Sequence, residues 1–212
     1  MPDLGTSVAI TTETELSALL GEPTLRVATK ERRALDDYDK RWLAHSPFCL
    51  VATARADGTC DVSPKGDPPG FTVVLDDTTI ALPERPGNRR ADGFRNILSN
   101  PHIGLLYMVP GRGDTLRING RATLVRDGDF FDQMTVKGHR PILATVVAIE
   151  QIFFHCSKAF LRSELWQPAT WAPDSLPSRA QIAQRLERPD ETLEALEQYY
   201  GPDYSIGLYG RP

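Results

Sequence analysis

The 212-residue chain is 41% hydrophobic and 25% charged, near the averages of globular proteins, which excludes a disordered or membrane-embedded bulk. Its 24 Lys and Arg against 28 Asp and Glu leave a formal charge of −4, so a nucleic-acid partner is not expected. The length suits a single domain with appendages, in which 1–46 is a helical N-terminal segment, 47–166 a β core and 167–212 a Pro-rich and helical extension.

Residues 1–12 read as a loose lead-in. Asp3, Glu13 and Glu15 with no basic start do not make a secretory signal, and the longest apolar run, Ala144 to Ile149, is too short for a membrane helix. A cytoplasmic protein is expected. Helices are predicted over 13–20 and 31–45, the second from Leu35, Tyr38, Trp42 and Leu43 at three- and four-residue spacing, ended by Ser46-Pro47.

From Phe48 to Asp127 the pattern turns to short strands. Phe48 to Ala54 is apolar on both faces, and Ala56-Asp57-Gly58 returns the chain. Thr59 to Lys65 alternates, with Cys60 and Val62 on one side and Asp61, Ser63 and Lys65 on the other. Strands at 71–75 and 78–82, a helix over 88–99, strands at 102–109 and 115–125 bent near Gly120, a short helical piece at 129–136 and β character over 141–155 follow. One or two helices are expected within 178–200. Strands at this spacing suggest a closed or split β-barrel, mainly β with peripheral helices.

Pairing Ala54 with Thr59 across the turn would set Cys49 against Pro64 and Cys60 against Thr53, so no cross-strand disulfide arises. The three cysteines are expected as reduced, mostly buried thiols.

Two local clusters carry chemistry. Asn88 suits a helix N-cap, where the free amides and the dipole favour an anion, and Arg89 and Arg90 add two guanidinium groups that grip phosphate. Cations at that helix end oppose the dipole and call for a compensating anion. The helix would bury Ala91, Phe94, Ile97 and Leu98. Ser63 and Lys65 share a strand face, with Gly66 leaving room beside the backbone. Together the clusters suit one phosphate; separately they suit a hairpin exit and solvated arginines paired with Glu84 and Asp92.

These motifs stand in a familiar order. Phe48-x-Leu-Val-Ala-Thr-Ala, Asp61-Val62-Ser63-Pro64-Lys65-Gly66-Asp67, Gly87-Asn88-Arg89-Arg90, Asn100-Pro101 and Leu116-Arg117-Ile118-Asn119-Gly120-Arg121-Ala122 resemble the pyridoxamine 5'-phosphate oxidase-like superfamily of FMN-binding split barrels, over about residues 45–127. The resemblance implies an FMN-dependent oxidoreductase acting on a small molecule, as a homodimer with FMN at the interface. By position, Arg89 and Arg90 match the family's basic pair on the FMN phosphate, and Lys65 its strand-end lysine. Ser63 and Gly66 share that strand motif, and Asn88 precedes the basic pair. Pro83 and Glu84 match backbone that lines the ring, and Thr115 replaces a glutamine on the cofactor. Lys158, Ser163 and Trp166 belong to a tail similar to that of a subgroup, and are added to the pocket.

One departure is evident: no Arg-Leu-His-Asp-Arg type segment is present to read a substrate phosphate, so vitamin B6 oxidation is not expected. That departure leaves open an alternative, a non-enzymatic carrier or sensor of flavin, haem or deazaflavin on the same barrel. No metal is expected, since His155-Cys156 are strand neighbours without ligand spacing and suit core packing. Gly111-Arg112-Gly113 is a turn and not a dinucleotide fingerprint, and no Gly-x-Ser-x-Gly appears.

Overall fold

The computed structural model describes residues 5–209, so part of the expected lead-in, residues 1–4, lies outside it. Residues up to Glu31 and residues from Arg32 onward form two compact units. The first holds α1 (Glu13–Leu20), opened by a capping box between Thr12 and Glu15, and the one-turn α2 (Leu25–Ala28).

The second unit begins extended. Arg32 exchanges backbone hydrogen bonds with Ile152 at 3.0 and 2.8 Å, and Leu35 N–H donates to the Asp77 carbonyl at 2.6 Å. The helix predicted from residue 31 therefore starts only at α3 (Asp37–His45). Asp36 caps it, and the fully buried Asp39 carboxylate accepts from Asp36 N–H at 2.8 Å and from both ends of the Arg32 guanidinium. Trp42 and Leu43 pack inward, whereas Tyr38 is exposed, because the apolar spacing runs across the true helix start.

Seven strands make one antiparallel sheet that does not close: β1 (Phe48–Ala54), β2 (Cys60–Gly66), β3 (Val73–Asp76), β4 (Thr79–Pro83), β5 (His102–Met108), β6 (Thr115–Val125) and β7 (Ala144–His155), in the order β2-β1-β5-β6-β7-β4-β3. The molecule is mainly β with peripheral helices, a split barrel. The turn after β1 is one residue longer than the sequence suggested. Arg55 N–H bonds to the Thr59 carbonyl at 2.9 Å, so Ala54 pairs with Cys60 and Cys49 with Lys65. This corrects the expected register by one residue. Only Cys49 is buried; Cys60 and Cys156 are exposed, so neither the mostly buried thiols nor the core packing of Cys156 is found.

Inward residues of alternate positions build the main core: Cys49, Val51, Ile80, Leu82, Ile103, Leu105, Tyr107, Leu116, Ile118 and Ile152. The chain entering β3 folds over this core, where Thr72 Oγ1 meets the Tyr107 hydroxyl at 3.1 Å. A second, smaller core lies on the other face of β4, where Ala81 and Ala144 meet Phe131 and Met134 of a 3-10 turn (Phe131–Met134). This turn is what remains of the helical piece expected at 129–136. Beyond β7 come α5 (Lys158–Ser163), α6 (Arg179–Leu186) and α7 (Leu193–Tyr199), the last two sharing a small core of Ala180, Ala183 and Leu196. Among the described residues no helix is long and apolar enough to cross a membrane.

Candidate functional site

A cavity of about 370 Å³ opens where β2, the end of β4 and the segment before α4 (Asp92–Ser99) converge. The period of two along β2 turns Asp61, Ser63 and Lys65 into it. Glu84, just past β4, ion-pairs with Lys65, whose ammonium also lies 4.9 Å from the Phe94 ring centroid. This pair links the edge strand β2 to the end of β4, the strand next to the opposite edge of the sheet. Asn88, Arg90 and the first turn of α4 complete the wall.

Asn88 is not the cap of α4. Its Oδ1 accepts from Arg90 N–H at 3.0 Å within the preceding loop, and the helix begins four residues later, behind Ala91 in a left-handed conformation with φ 57°. Arg90 ion-pairs instead with Asp92 in the first helical turn, where the dipole favours a carboxylate. The pairing raises the Arg90 pKa and lowers that of Asp92, each through their mutual hydrogen bond. Of the expected stripe on α4 only Ile97 is buried, beside Asn96; Phe94 and Ala91, which precedes the helix, are half-buried, and Leu98 is exposed.

The helix is held by a buried polar contact. Asn96 Nδ2 donates to Thr53 Oγ1 on β1 at 3.0 Å, and Arg55 Nε donates to Asn96 Oδ1 at 3.2 Å. Gly93 allows this approach, since a Cβ there would stand 3.3 Å from the Asp61 carboxylate. Thr53, Asn96 and Asp61 thus fix where the arginine loop sits. Thr53 and Asn96 fall within sequence motifs that resemble the family, but their contact was not expected, because a partner forty-odd positions away leaves no local periodicity.

A second, larger chamber of about 760 Å³ lies beyond the same loop, lined by Glu84, Arg85, Arg89, Arg140, Ile142 and Tyr209 among others. Arg85 is fixed: its Nε donates to the nearly buried Asp67 carboxylate at 2.5 Å and an Nη to the Met134 carbonyl at 2.6 Å. The Tyr209 hydroxyl donates to the other Asp67 oxygen at 2.6 Å, which raises the tyrosine pKa.

The remaining predicted site residues stand apart from the first cavity. Gly66 and Pro83 point to the opposite faces of their strands; a Cβ on Gly66 would meet the Phe48 ring at 3.4 Å. Thr115 is buried at the start of β6, three strands from Lys65 in the sheet order. Trp166 donates from Nε1 to the Arg112 carbonyl at 2.7 Å and stacks on Phe160, while Ser163 Oγ donates to the Phe160 carbonyl at 3.3 Å. Lys158 begins the same short helix, α5. Near Arg112 an aromatic cleft is lined by Tyr38, Trp42 and Phe154, and within one chain these residues form a separate cluster.

A curled, unclosed seven-stranded antiparallel sheet with peripheral helices defines the split-barrel class, and its first cavity is polar, with Lys65 and Arg90 beside Asp61, Glu84 and Asp92. Its fold is similar to HupZ of Group A Streptococcus (20% identity, covering 57% of this chain and 93% of that one, TM-score 0.46). It is similar also to an FMN-binding protein from Syntrophomonas wolfei (15%, 55% and 84%, TM-score 0.43) and to an F420 reductase (18%, 57% and 98%, TM-score 0.41). No curated protein has a significantly similar sequence. Residues 35–156, more than half of the 212, match the pyridoxamine 5'-phosphate oxidase family, and the chain belongs to it.

Proposed function

We propose that the protein is an FMN-dependent oxidoreductase acting on a small molecule, with the cofactor's phosphate end in the first cavity. The observation that carries this reading is the convergence of Ser63, Lys65, Asn88 and Arg90 from a strand and a loop onto one cavity of about 370 Å³, within the usual range for small ligands. The residues fit a phosphate. Arg90 and Lys65 supply charge, and Ser63 and Asn88 supply neutral donors.

Both cations already hold carboxylates and Asp61 adds a third to the wall, so a phosphate must take Arg90 over from Asp92. Arg90 is 79% exposed at its side chain and its pair is worth little in water, which makes that exchange easy. Lys65 and Glu84 are more enclosed, at 22% and 26%, so this lysine stays near the end of β4 and orients what lies there. A bound flavin would supply hydride or electron transfer. The chain's own contribution is anchoring, orientation and exclusion of water: Val51, Leu82, Phe94 and Ile103 form the apolar part of the wall.

We infer further that the protein is a homodimer, and that Thr115, Lys158, Ser163 and Trp166 serve the site of the partner subunit. Their separation from the first cavity within one chain supports this. In the test, purified protein shows flavin absorbance or takes up added FMN, and Arg90→Ala weakens FMN binding by at least tenfold. Protein that is colourless and refuses added FMN would falsify the reading.

A further inference from the structure

The arginine loop leaves β4 through Glu84 and Arg85, and both side chains reach across the split of the sheet to the end of β2. Glu84 pairs with Lys65, and Arg85 pairs with Asp67, which directly follows β2. The two ion pairs have opposite polarity, the cation coming from the β2 side in the first and from the β4 side in the second. Because β2 stands at one edge of the sheet and β4 next to the other, the pairs hold together ends that are not strand neighbours.

The Asp67 pair has a third member from a distant part of the chain. One carboxylate oxygen takes Arg85 and the other takes the Tyr209 hydroxyl at 2.6 Å, in a side chain that is only 2% exposed. The Tyr209 ring lies 5.4 Å from the Arg85 guanidinium and 5.5 Å from the Lys137 ammonium, and stacks on His139 at 6.4 Å. The segment after α7 carries only a 3-10 turn (Pro202–Ser205), and this one aromatic side chain docks it beside the site. A nearly buried carboxylate oxygen left without its donor is costly, so loss of the hydroxyl drives Asp67 to rearrange, and Arg85 with it.

Arg85 is the root of the loop. Its guanidinium also donates to the Met134 carbonyl at 2.6 Å, and the stiff Pro86 follows it directly. Further along, Arg89 and Ala91 have φ of 60° and 57°, a left-handed conformation that residues with a Cβ adopt only when the surroundings impose it. The first cavity and the larger chamber share Glu84, Gly87, Asn88, Ala91 and Phe94, so a shift at the root reaches both sides of the loop.

We propose that Tyr209 is a positioning residue of the cofactor site: its hydroxyl, acting through Asp67 and Arg85, holds the arginine loop in the shape that grips the phosphate. Its service to the cofactor rests on the flavin reading above; its hold on the loop rests on these contacts alone.

The test compares Tyr209→Phe, which keeps the ring beside Arg85 and Lys137 but lacks the hydroxyl, with Tyr204→Phe. The latter removes a hydroxyl from the same segment, where Tyr204 packs on Tyr199 and Tyr200. FMN affinity is measured by fluorescence titration, and the bound phosphate is read by its phosphorus NMR signal, which a mere change in stability would not move. Tyr209→Phe is expected to weaken FMN binding about fivefold or more and to shift the phosphorus signal, while Tyr204→Phe changes neither. A smaller loss of affinity, an unmoved signal, or an equal loss in Tyr204→Phe overturns the proposal. Failure of the flavin reading shows separately, as no FMN uptake by the wild type. Amide hydrogen exchange over residues 84–91 of the flavin-free protein then decides: faster exchange in Tyr209→Phe than in Tyr204→Phe upholds the hold on the loop, and equal exchange overturns it.

Discussion

Cys49 lies fully buried in β1, opposite Lys65 on one side and Tyr107 on the other. Burial pushes its thiol up to about 12, against a small opposing pull from Lys65. Tyr107, also fully buried, is raised for the same reason. The sign follows from linkage: the folded pKa of Cys49 exceeds the unfolded value of 9.0, so the stability held by the protonated thiol is complete below about 9 and is lost as pH rises towards 12. At mildly alkaline pH the native protein is expected to expose two fast-reacting thiols, Cys60 and Cys156, and to release the third only on denaturation. Three equally fast thiols in native protein would contradict the burial of Cys49. The sequence showed that no disulfide was set up across this hairpin, yet it put Cys49 opposite the wrong residue. A loop length of one residue decides that register, and the Asp57-Gly58 signal leaves it open.

At the scale of elements, β6 and β7 form the long hairpin on which the sheet curls, and the bend sits where the pairing slips between Asn119 and Gly120. A Cβ built on Gly120 would overlap the Ala148 carbonyl oxygen in the neighbouring strand, and backbone cannot yield as a side chain can. Gly120→Ala is therefore expected to destabilise by about 1–3 kcal/mol, an overpacking cost, and to lower Tm by roughly 2–4 °C per kcal/mol in a chain of this size. An unchanged melting curve would mean that the bulge relaxes freely. This bend was visible in the sequence, because a lone glycine in a strand pattern has few other causes. The strands were visible too, since alternation is local. The start of α3 was not: residues 31–36 carry helical spacing, and their backbone partners, Ile152 and Asp77, lie far away in the chain. The arginine loop was legible in composition and not in conformation. Asn88 has the chemistry of a cap, but it caps a turn, and the left-handed residues at 89 and 91 delay the helix to Asp92.

The whole molecule leaves one sheet face to be accounted for. Across β2, β1, β5, β6 and β7 the residues pointing away from the main core run Pro64, Leu50, Leu106, Arg117, Phe153 in one row and Val62, Ala52, Gly104, Asn119, Gln151 in the next. The β2–β5 half of this face is apolar and partly open to solvent; Val62 is 62% exposed. Its other half is polar. Asn119 Nδ2 and an Arg117 Nη donate to the side-chain Oε1 of Gln151 at 2.6 and 3.0 Å, and Arg117 Nε is buried without a hydrogen-bond partner among the described residues. Thr115 shares this face by its position in β6, so a second copy seated here would come within reach of a residue that the first cavity lacks. The expected outcome is a particle of about 47 kDa by sedimentation, twice 23.5 kDa. Leu106→Glu places an unpaired carboxylate in the apolar row, where a dimer would have to desolvate it, while the isolated subunit leaves it partly hydrated. The variant should therefore sediment as a folded monomer and bind FMN at least tenfold more weakly. Retention of full FMN affinity by a monomeric Leu106→Glu would confine the cofactor site to one chain and detach Thr115 and Trp166 from it.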